Sequence, residues 1–156
     1  MIDLCELVRE SCNNMKFFLK KRNITLNLDI LENLYLELDE IRIIQVFTNL
    51  LSNAIKNTPP KGNLKVSLKK SENWVKLLIC DTGIGLTKEE MKFIFTRFGK
   101  IERIGEGLEF IDIRGSGLGL FISRSIIDLH GGQIWAESEG RHKGSTFIVK
   151  LPYKQG

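Results

Sequence analysis

The sequence of 156 residues is long enough for one compact domain with its own core, and we expect a single domain over residues 1–156. Apolar residues make up 42% and charged residues 27%, as in an ordinary soluble globular protein. The net charge of +4 suits a phosphate-bearing ligand or an acidic partner surface but does not by itself argue for nucleic acid. No run of about 18 apolar residues is present, so we expect no membrane span or direct membrane contact and, by default, a cytoplasmic location, with the cytoplasmic part of a membrane-anchored protein as an alternative.

Three cysteines, Cys5, Cys12 and Cys80, are an odd number without a CxxC spacing. This pattern disfavours a disulfide framework and a zinc site. We therefore predict that all three are reduced thiols in the core.

Apolar periodicity, proline and glycine predict the secondary structure along the chain. The predicted elements are helices over 2–22, 39–57, 87–95 and 119–130, and strands over 24–30, 34–38, 64–71, 74–81, 133–139 and 145–152. The short helix is predicted to open with a capping box made by Thr87 and Glu90. Residues 97–117 are glycine-rich without sustained periodicity, which is typical of a functional lid or a disordered loop. The order of helices and hairpins predicts an α+β two-layer sandwich, with a mixed sheet covered by helices on one face.

A polar row marks one face of the predicted helix over 39–57. Its members are spaced for one helical face and are Gln45, Asn49, Asn53, Lys56 and Asn57. An amide oxygen is a suitable neutral ligand for Mg²⁺ that is shared with phosphates, and a lysine one turn on supplies a cation for them. A solvated polar face without a ligand would produce the same row, so the helix alone leaves both interpretations open.

Two glycine-rich segments follow. Asp81 ends an apolar strand in DTGIGL, where it is placed to accept a hydrogen bond from an amino group of a base, although Asp and Gly also favour plain turns. The second segment, GSGLGL at 115–120, enters a helix, whose N-terminus favours an anion. It fits neither the GxGxxG fingerprint nor a P-loop, and a glycine hinge remains an alternative.

Together these segments resemble the ATP-binding catalytic domain of histidine kinases, in the GHKL superfamily. NLLSNAIKN, DTGIGL, FTRF, GSGLGL and GSTF occur in the order and approximate spacing of that family's N, G1, F, G2 and G3 motifs. The resemblance extends from about Ile2 to Pro152. It implies a sheet of about five strands under three main helices, ATP and Mg²⁺ as cofactors, and phosphoryl transfer to a histidine.

The resemblance also implies site residues. Asn53 is the implied Mg²⁺ ligand, and the implied catalytic group on its helix is Asn49, Asn53 and Lys56. Asp81 is implied to accept a hydrogen bond from the adenine amino group. The other implied nucleotide-binding positions are Lys56, Asn57, Gly83, Ile84, Gly85, Phe98, Lys100, Gly115, Ser116, Gly117, Leu118, Gly119, Leu120 and Thr146, the last beside adenine. Further implied lid positions are Phe95 as an anchor and Arg97 as an alternative to Lys100 for the phosphates.

The chain departs from the wider superfamily at Asn49. Members that hydrolyse ATP, and the related serine kinases, carry a glutamate there as general base, and an amide cannot take a proton at neutral pH. This favours phosphoryl transfer to a nucleophile supplied elsewhere over hydrolysis. It weighs against the gyrase, chaperone, mismatch-repair and anti-sigma branches.

The acceptor histidine is the second departure. His130 precedes two glycines at a helix end and is predicted to be structural, whereas His142 lies in a charged loop and is predicted to be exposed. Neither has the acidic neighbour and helical context of an acceptor, so the chain is expected to be a fragment or one half of a split kinase. The implied partners are a helical-hairpin dimerisation domain that carries the acceptor histidine and, indirectly, a response regulator.

Two other functions remain as alternatives. One is a binding module that holds ATP without transferring phosphate, as in a nucleotide-dependent partner switch or a degenerate sensor. The other is nucleic-acid binding, which rests only on net charge and scattered lysines and is not expected.

Overall fold

A computed structural model describes residues 1–96 and 118–154. Its elements in chain order are β1 (Ile2–Asp3), α1 (Leu4–Asn13), α2 (Lys16–Lys21), β2 (Thr25–Ile30), β3 (Tyr35–Leu36), α3 (Glu40–Asn57), β4 (Asn63–Lys70), β5 (Trp74–Asp81), α4 (Lys88–Phe93), α5 (Gly119–Leu129), β6 (Gln133–Glu137) and β7 (Ser145–Pro152). None of the helices in these described ranges is long and apolar enough to cross a membrane.

The main sheet has the strand order β2-β4-β5-β7-β6. β2 pairs with β4 in parallel, and the other neighbours are antiparallel. The prediction of a mixed five-stranded sheet is therefore confirmed. β1 and β3 form a separate two-stranded antiparallel ladder.

α3 is the central helix of the layer that covers the sheet, because it contacts both α1 and α5. The side chain of Asp39 caps it by accepting from the backbone N–H of Arg42, and the helix ends before Thr58-Pro59-Pro60 as predicted. Its buried side contributes Val46, Phe47 and Leu50 to the core. Burial of this apolar side holds α3 against the sheet and turns its polar row away from the core.

The prediction of one helix over residues 2–22 is wrong, because α1 and α2 are separated at Asn14 and Met15. Asp3 is the N-cap of α1, so the helix cannot begin before it, and Asn14 favours a turn over a helix interior. The apolar period continues across the break because Met15 and Leu19 reach the same core. The apolar periodicity of residues 2–22 therefore reflects a shared core and not a continuous helix.

The prediction of three core cysteines is wrong for Cys80. Cys5 and Cys12 are buried, and burial raises the pKa of the Cys12 thiol to about 11. Cys80 is exposed because β5 alternates its side chains, which places this residue on the uncovered face of the sheet. All three thiols are free.

The predictions for both histidines are confirmed. The backbone N–H of Asp39 donates to Nε2 of His130 at 3.1 Å, and Nδ1 of His130 lies 2.8 Å from the carbonyl oxygen of Ile126. His130 thus joins the end of α5 to the start of α3, which is a structural role. His142 is exposed on the loop between β6 and β7.

Candidate functional site

The polar row of α3 is part open and part buried. Asn53 and Lys56 are half-buried, and the described part of the chain provides neither side chain with a hydrogen-bond or ion-pair partner. Asn57, predicted on the same open face, is buried beneath the loop that follows β5, and its Oδ1 has no partner among the described residues. The free polar groups of this face are therefore centred on Asn53 and Lys56.

Asn49 connects α3 to the start of α5. Its Nδ2 donates to the carbonyl oxygen of Gly119 at 3.3 Å and to Oγ of Ser123 at 3.4 Å. These bonds hold the N-terminus of α5 beside the polar row. Leu118, the N-cap of α5, has no side-chain oxygen, so its side chain provides no cap for the first turn of this helix.

Asp81 ends β5 as a buried carboxylate, 3% exposed, and each of its oxygens accepts one hydrogen bond. The backbone N–H of Gly83 donates to Oδ1 and the hydroxyl of Ser145 donates to Oδ2, both at 2.8 Å. Burial raises the pKa of Asp81 above its ordinary value, while the bonds from Ser145 and Gly83 oppose that rise. Each oxygen keeps further acceptor capacity for a ligand.

The two glycines after Asp81 are required by contacts within the protein. A Cβ at Gly83 would collide with the carbonyl oxygen of Asn57, which also accepts from the N–H of Ile84 at 3.0 Å. Gly85 has φ +68° and lies against the carbonyl oxygen of Gly140. The close approach at these two glycines is to backbone of α3 and of the β6–β7 loop.

The β6–β7 loop, residues 138–144, braces the loop after Asp81, and the sequence did not predict this. Oγ of Ser138 accepts from the N–H of Leu86 at 2.9 Å, and Arg141 donates to the carbonyl oxygen of Gly85 at 3.2 Å. Arg141 also pairs with Glu90 at 2.6 Å. An arginine and a glutamate 51 residues apart carry no local signal of their contact.

Glu90 has two partners. The predicted capping box is confirmed, because Glu90 N–H donates to Oγ1 of Thr87 at 3.2 Å and Thr87 N–H donates to Oε1 of Glu90 at 2.9 Å. The same carboxylate accepts from Arg141. The side chain of Glu90 therefore both caps α4 and binds Arg141, which holds the loop after Asp81.

Thr146, predicted beside adenine, lies on the opposite face of the sheet from Asp81. Thr146 is paired in register with the exposed Cys80, so it belongs to the uncovered face of the sheet. Its neighbour Ser145 is paired with Asp81 and donates to it. Because side chains alternate along a strand, only one of the two adjacent residues can face the carboxylate, and that residue is Ser145.

The remaining predicted positions divide into two groups. Ile84 is buried in the loop after Asp81, and Leu120 lies in the first turn of α5. Phe95 is buried against Phe147 in an edge-to-face contact. The predicted lid and its contacts lie outside the described residues, namely Arg97, Phe98, Lys100, Gly115, Ser116 and Gly117.

Within residues 1–96 and 118–154, no cluster of three or more His, Cys, Asp or Glu side chains is arranged to hold a metal ion. The free amide of Asn53 is a single oxygen ligand. Such a donor set fits Mg²⁺ that takes its remaining ligands from water and phosphate, and does not fit a metal held by protein alone.

Comparison with known proteins identifies the family. A family model described as "Histidine kinase-, DNA gyrase B-, and HSP90-like ATPase" matches residues 38–155. The chain belongs to this family of ATPases. The catalytic domain of the histidine kinase ThkA superimposes with a TM-score of 0.81 at 32% identity, covering 98% of this chain and 96% of that one.

Two curated relatives with substantial identity are sensor kinases. The adaptive-response sensory kinase SasA of Prochlorococcus marinus (strain CCMP1986) is 36% identical over 99% of this chain and 41% of its own length. The sensor histidine kinase WalK of Bacillus subtilis is 36% identical over 79% of this chain and 20% of its own length. The chain thus spans well under half the length of the relatives it matches.

Replacement of Gly83 tests the packing of the site loop in this ATPase domain. We expect Gly83→Ala to lower the free energy of unfolding by about 1–3 kcal/mol, because its Cβ overlaps backbone that cannot move aside. Gly119→Ala is the matched control, since its Cβ would meet only ordinary contacts and alanine favours a helix. Urea denaturation of both variants is the measurement, and equal stability of the two would contradict the packing described.

Replacement of Ser145 tests the buried carboxylate through pH. The folded pKa of Asp81 is raised, so its ionisation costs stability as pH rises through that pKa. Ser145→Ala removes a bond that favours the ionised form, so we expect a loss of about 1.5–3 kcal/mol at pH values above the raised pKa of Asp81 and a smaller loss at pH values below it. Ser67→Ala, at a buried serine on β4, should show no such pH dependence in urea denaturation. A pH-independent effect of Ser145→Ala would contradict the assignment.

Proposed function

We propose that this chain is the ATP-binding catalytic domain of a two-component sensor histidine kinase. In this role it binds Mg-ATP and transfers the γ-phosphate to a histidine on a separate helical-hairpin dimerisation domain. A response regulator is the downstream partner, and the domain acts on the cytoplasmic side. The observation that carries the proposal is the way α3 joins the loop after Asp81 to the start of α5.

α3 contacts these two elements at points eight residues apart. The carbonyl oxygen of Asn57 accepts from the loop after Asp81, and the side chain of Asn49 donates to the start of α5. At 1.5 Å per residue the two contacts are roughly 12 Å apart along the helix axis. Asn53 and Lys56 lie between them, which suits one nucleotide lying along α3 with its base at one end and its phosphates at the other.

The base end is supported by Asp81. Its carboxylate is fixed by Gly83 and Ser145 and has acceptor capacity left, so it is suited to receive the amino group of adenine. Ile84 supplies an apolar side chain from the same loop. A fixed acceptor of this kind discriminates adenine from a base that presents a carbonyl at that position.

The phosphate end is supported by Lys56, Asn53 and the N-terminus of α5. Lys56 supplies a positive charge, and the helix dipole at the first turn of α5, from Gly119 to Leu120, favours an anion. Mg²⁺ held by Asn53 would neutralise phosphate charge during transfer. These residues position and stabilise the phosphates and supply no covalent chemistry of their own.

The side chain at position 49 favours transfer over hydrolysis. Its amide is committed to Gly119 and Ser123, and an amide does not accept a proton at neutral pH. A water molecule at this point would therefore lack a base. The nucleophile is instead the histidine of a partner domain.

Neither histidine of the chain suits the acceptor role. Both ring nitrogens of His130 are occupied by backbone groups, and His142 belongs to the loop that braces Gly83 and Ile84. A separate acceptor domain is consistent with this. One solved relative, ThkA in complex with the response regulator protein TrrA, is 30% identical with a TM-score of 0.77, which supports a response regulator as partner.

Asn53→Ala provides the central mutational test. We expect it to weaken Mg-ATP binding by about tenfold or more, because it removes the implied metal ligand, while leaving the fold intact. Titration calorimetry with and without Mg²⁺ measures the effect, and circular dichroism checks the fold. Gln45→Ala, two turns earlier and exposed, is the matched control and should bind like wild type.

The transfer step is tested by mixing the wild-type domain, labelled ATP and the helical-hairpin domain. We expect label on the hairpin histidine and none when Asn53→Ala replaces the wild type. Nucleotide binding without any labelled histidine would make the chain a binding module instead. Unchanged nucleotide affinity of Asn53→Ala would show that the site itself is misplaced.

A further inference from the structure

α2 carries two aromatic side chains that the core does not use. Phe17 is 69% exposed and Phe18 is 51% exposed, whereas Leu19 is the buried residue of this helix. The two rings meet edge to face with their centroids 5.5 Å apart. Single exposed apolar residues are common, but an adjacent aromatic pair beside a cavity is typical of an interaction site.

A cavity of about 300 Å³ lies between α2 and the C-terminal half of α3. Its lining residues are Met15, Phe18, Lys21, Arg22, Ser52, Ile55 and Lys56. The apolar members form a floor and the three cations surround it. This volume is at the lower end of the range for ligand pockets, about 300–1,000 Å³, so the cavity suits one or two inserted side chains.

The surface around the cavity is strongly basic. Residues 11–28 contain no Asp or Glu, whereas they contain Lys16, Lys20, Lys21 and Arg22. Among the described residues, no ion pair involves the three lysines of α2. Arg22 donates to the carbonyl oxygen of Thr58 at 2.7 Å, which fixes the end of α2 against the end of α3. The three lysines of α2 thus lie on a defined framework, and no described carboxylate pairs with them.

We propose that Phe17, Phe18, Lys21 and the adjoining cavity form a docking surface for an acidic protein segment. Such a segment would insert one apolar side chain into the cavity and set its carboxylates against the surrounding cations. The basic surface requires a partner with negative charge, and the apolar residues of the cavity bind one apolar side chain of that partner. We call this region the α2 docking surface.

The shape of the surface favours a protein segment over an anionic bilayer. A flat membrane would contact the exposed rings of Phe17 and Phe18 but would leave the floor at Met15 and Ile55 unfilled. The α2 docking surface meets the candidate nucleotide site at Lys56, and its aromatic residues contribute nothing to that site. Variants in α2 therefore test docking separately from ATP binding.

The test uses three fluorescein-labelled helical peptides of about 14 residues, or four helical turns. One has a central leucine flanked by glutamates, the second replaces that leucine with serine, and the third replaces the glutamates with lysines. Fluorescence anisotropy should show binding of the first peptide alone, and the binding should weaken as salt is raised. Phe18→Ala and Lys21→Glu should each weaken it by about tenfold or more.

Lys76→Glu is the matched control, because Lys76 is exposed on the uncovered face of the sheet and carries the same charge. This variant should bind the acidic peptide like wild type, and circular dichroism should show all variants folded. Binding of none of the peptides, or an equal effect of Lys76→Glu, would overturn the proposal. Binding to phosphatidylserine-containing vesicles without peptide binding, or self-association that Phe18→Ala abolishes in sedimentation, would also overturn it.

Discussion

The site depends on one buried carboxylate. Asp81 is removed from solvent, no cation of residues 1–96 or 118–154 pairs with it, and its charge is stabilised by the N–H of Gly83 and the hydroxyl of Ser145. An unpaired buried charge is costly unless hydrogen bonds fix it. The two hydrogen bonds join the end of β5 to the start of β7 and to the loop after Asp81. That loop in turn contacts the end of α3. In the proposed function, the same bonds hold the carboxylate in place to accept from the amino group of adenine.

The fold was predictable from the sequence where the signal is periodic and local. Alternation in β4, β5 and β7, the proline stop after α3 and the capping box at Thr87 each produced the expected element. The failures have a common cause in tertiary structure. α1 and α2 share one apolar period because both bury residues in one core, and the number and spacing of the cysteines do not indicate that Cys80 lies on the uncovered face of the sheet.

The candidate site was predictable as a set of motifs and not as a set of contacts. Motif order identified the elements, but register determines whether Ser145 or Thr146 faces Asp81. Likewise the pairing of Arg141 with Glu90 and the bond from Asn49 to Gly119 join residues far apart in sequence. Such contacts depend on how the strands and helices pack, which residue spacing alone does not encode.

The central claim is that a nucleotide lies along α3, with its base at Asp81 and its phosphates beside Asn53 and the start of α5. A crystal structure of the chain with Mg²⁺ and a non-hydrolysable ATP analogue tests it most directly. The account predicts the adenine amino group within hydrogen-bonding distance of Asp81 and the metal ion bound to the amide oxygen of Asn53. A nucleotide bound away from α3, or one whose phosphates lie at Asp81, would contradict it.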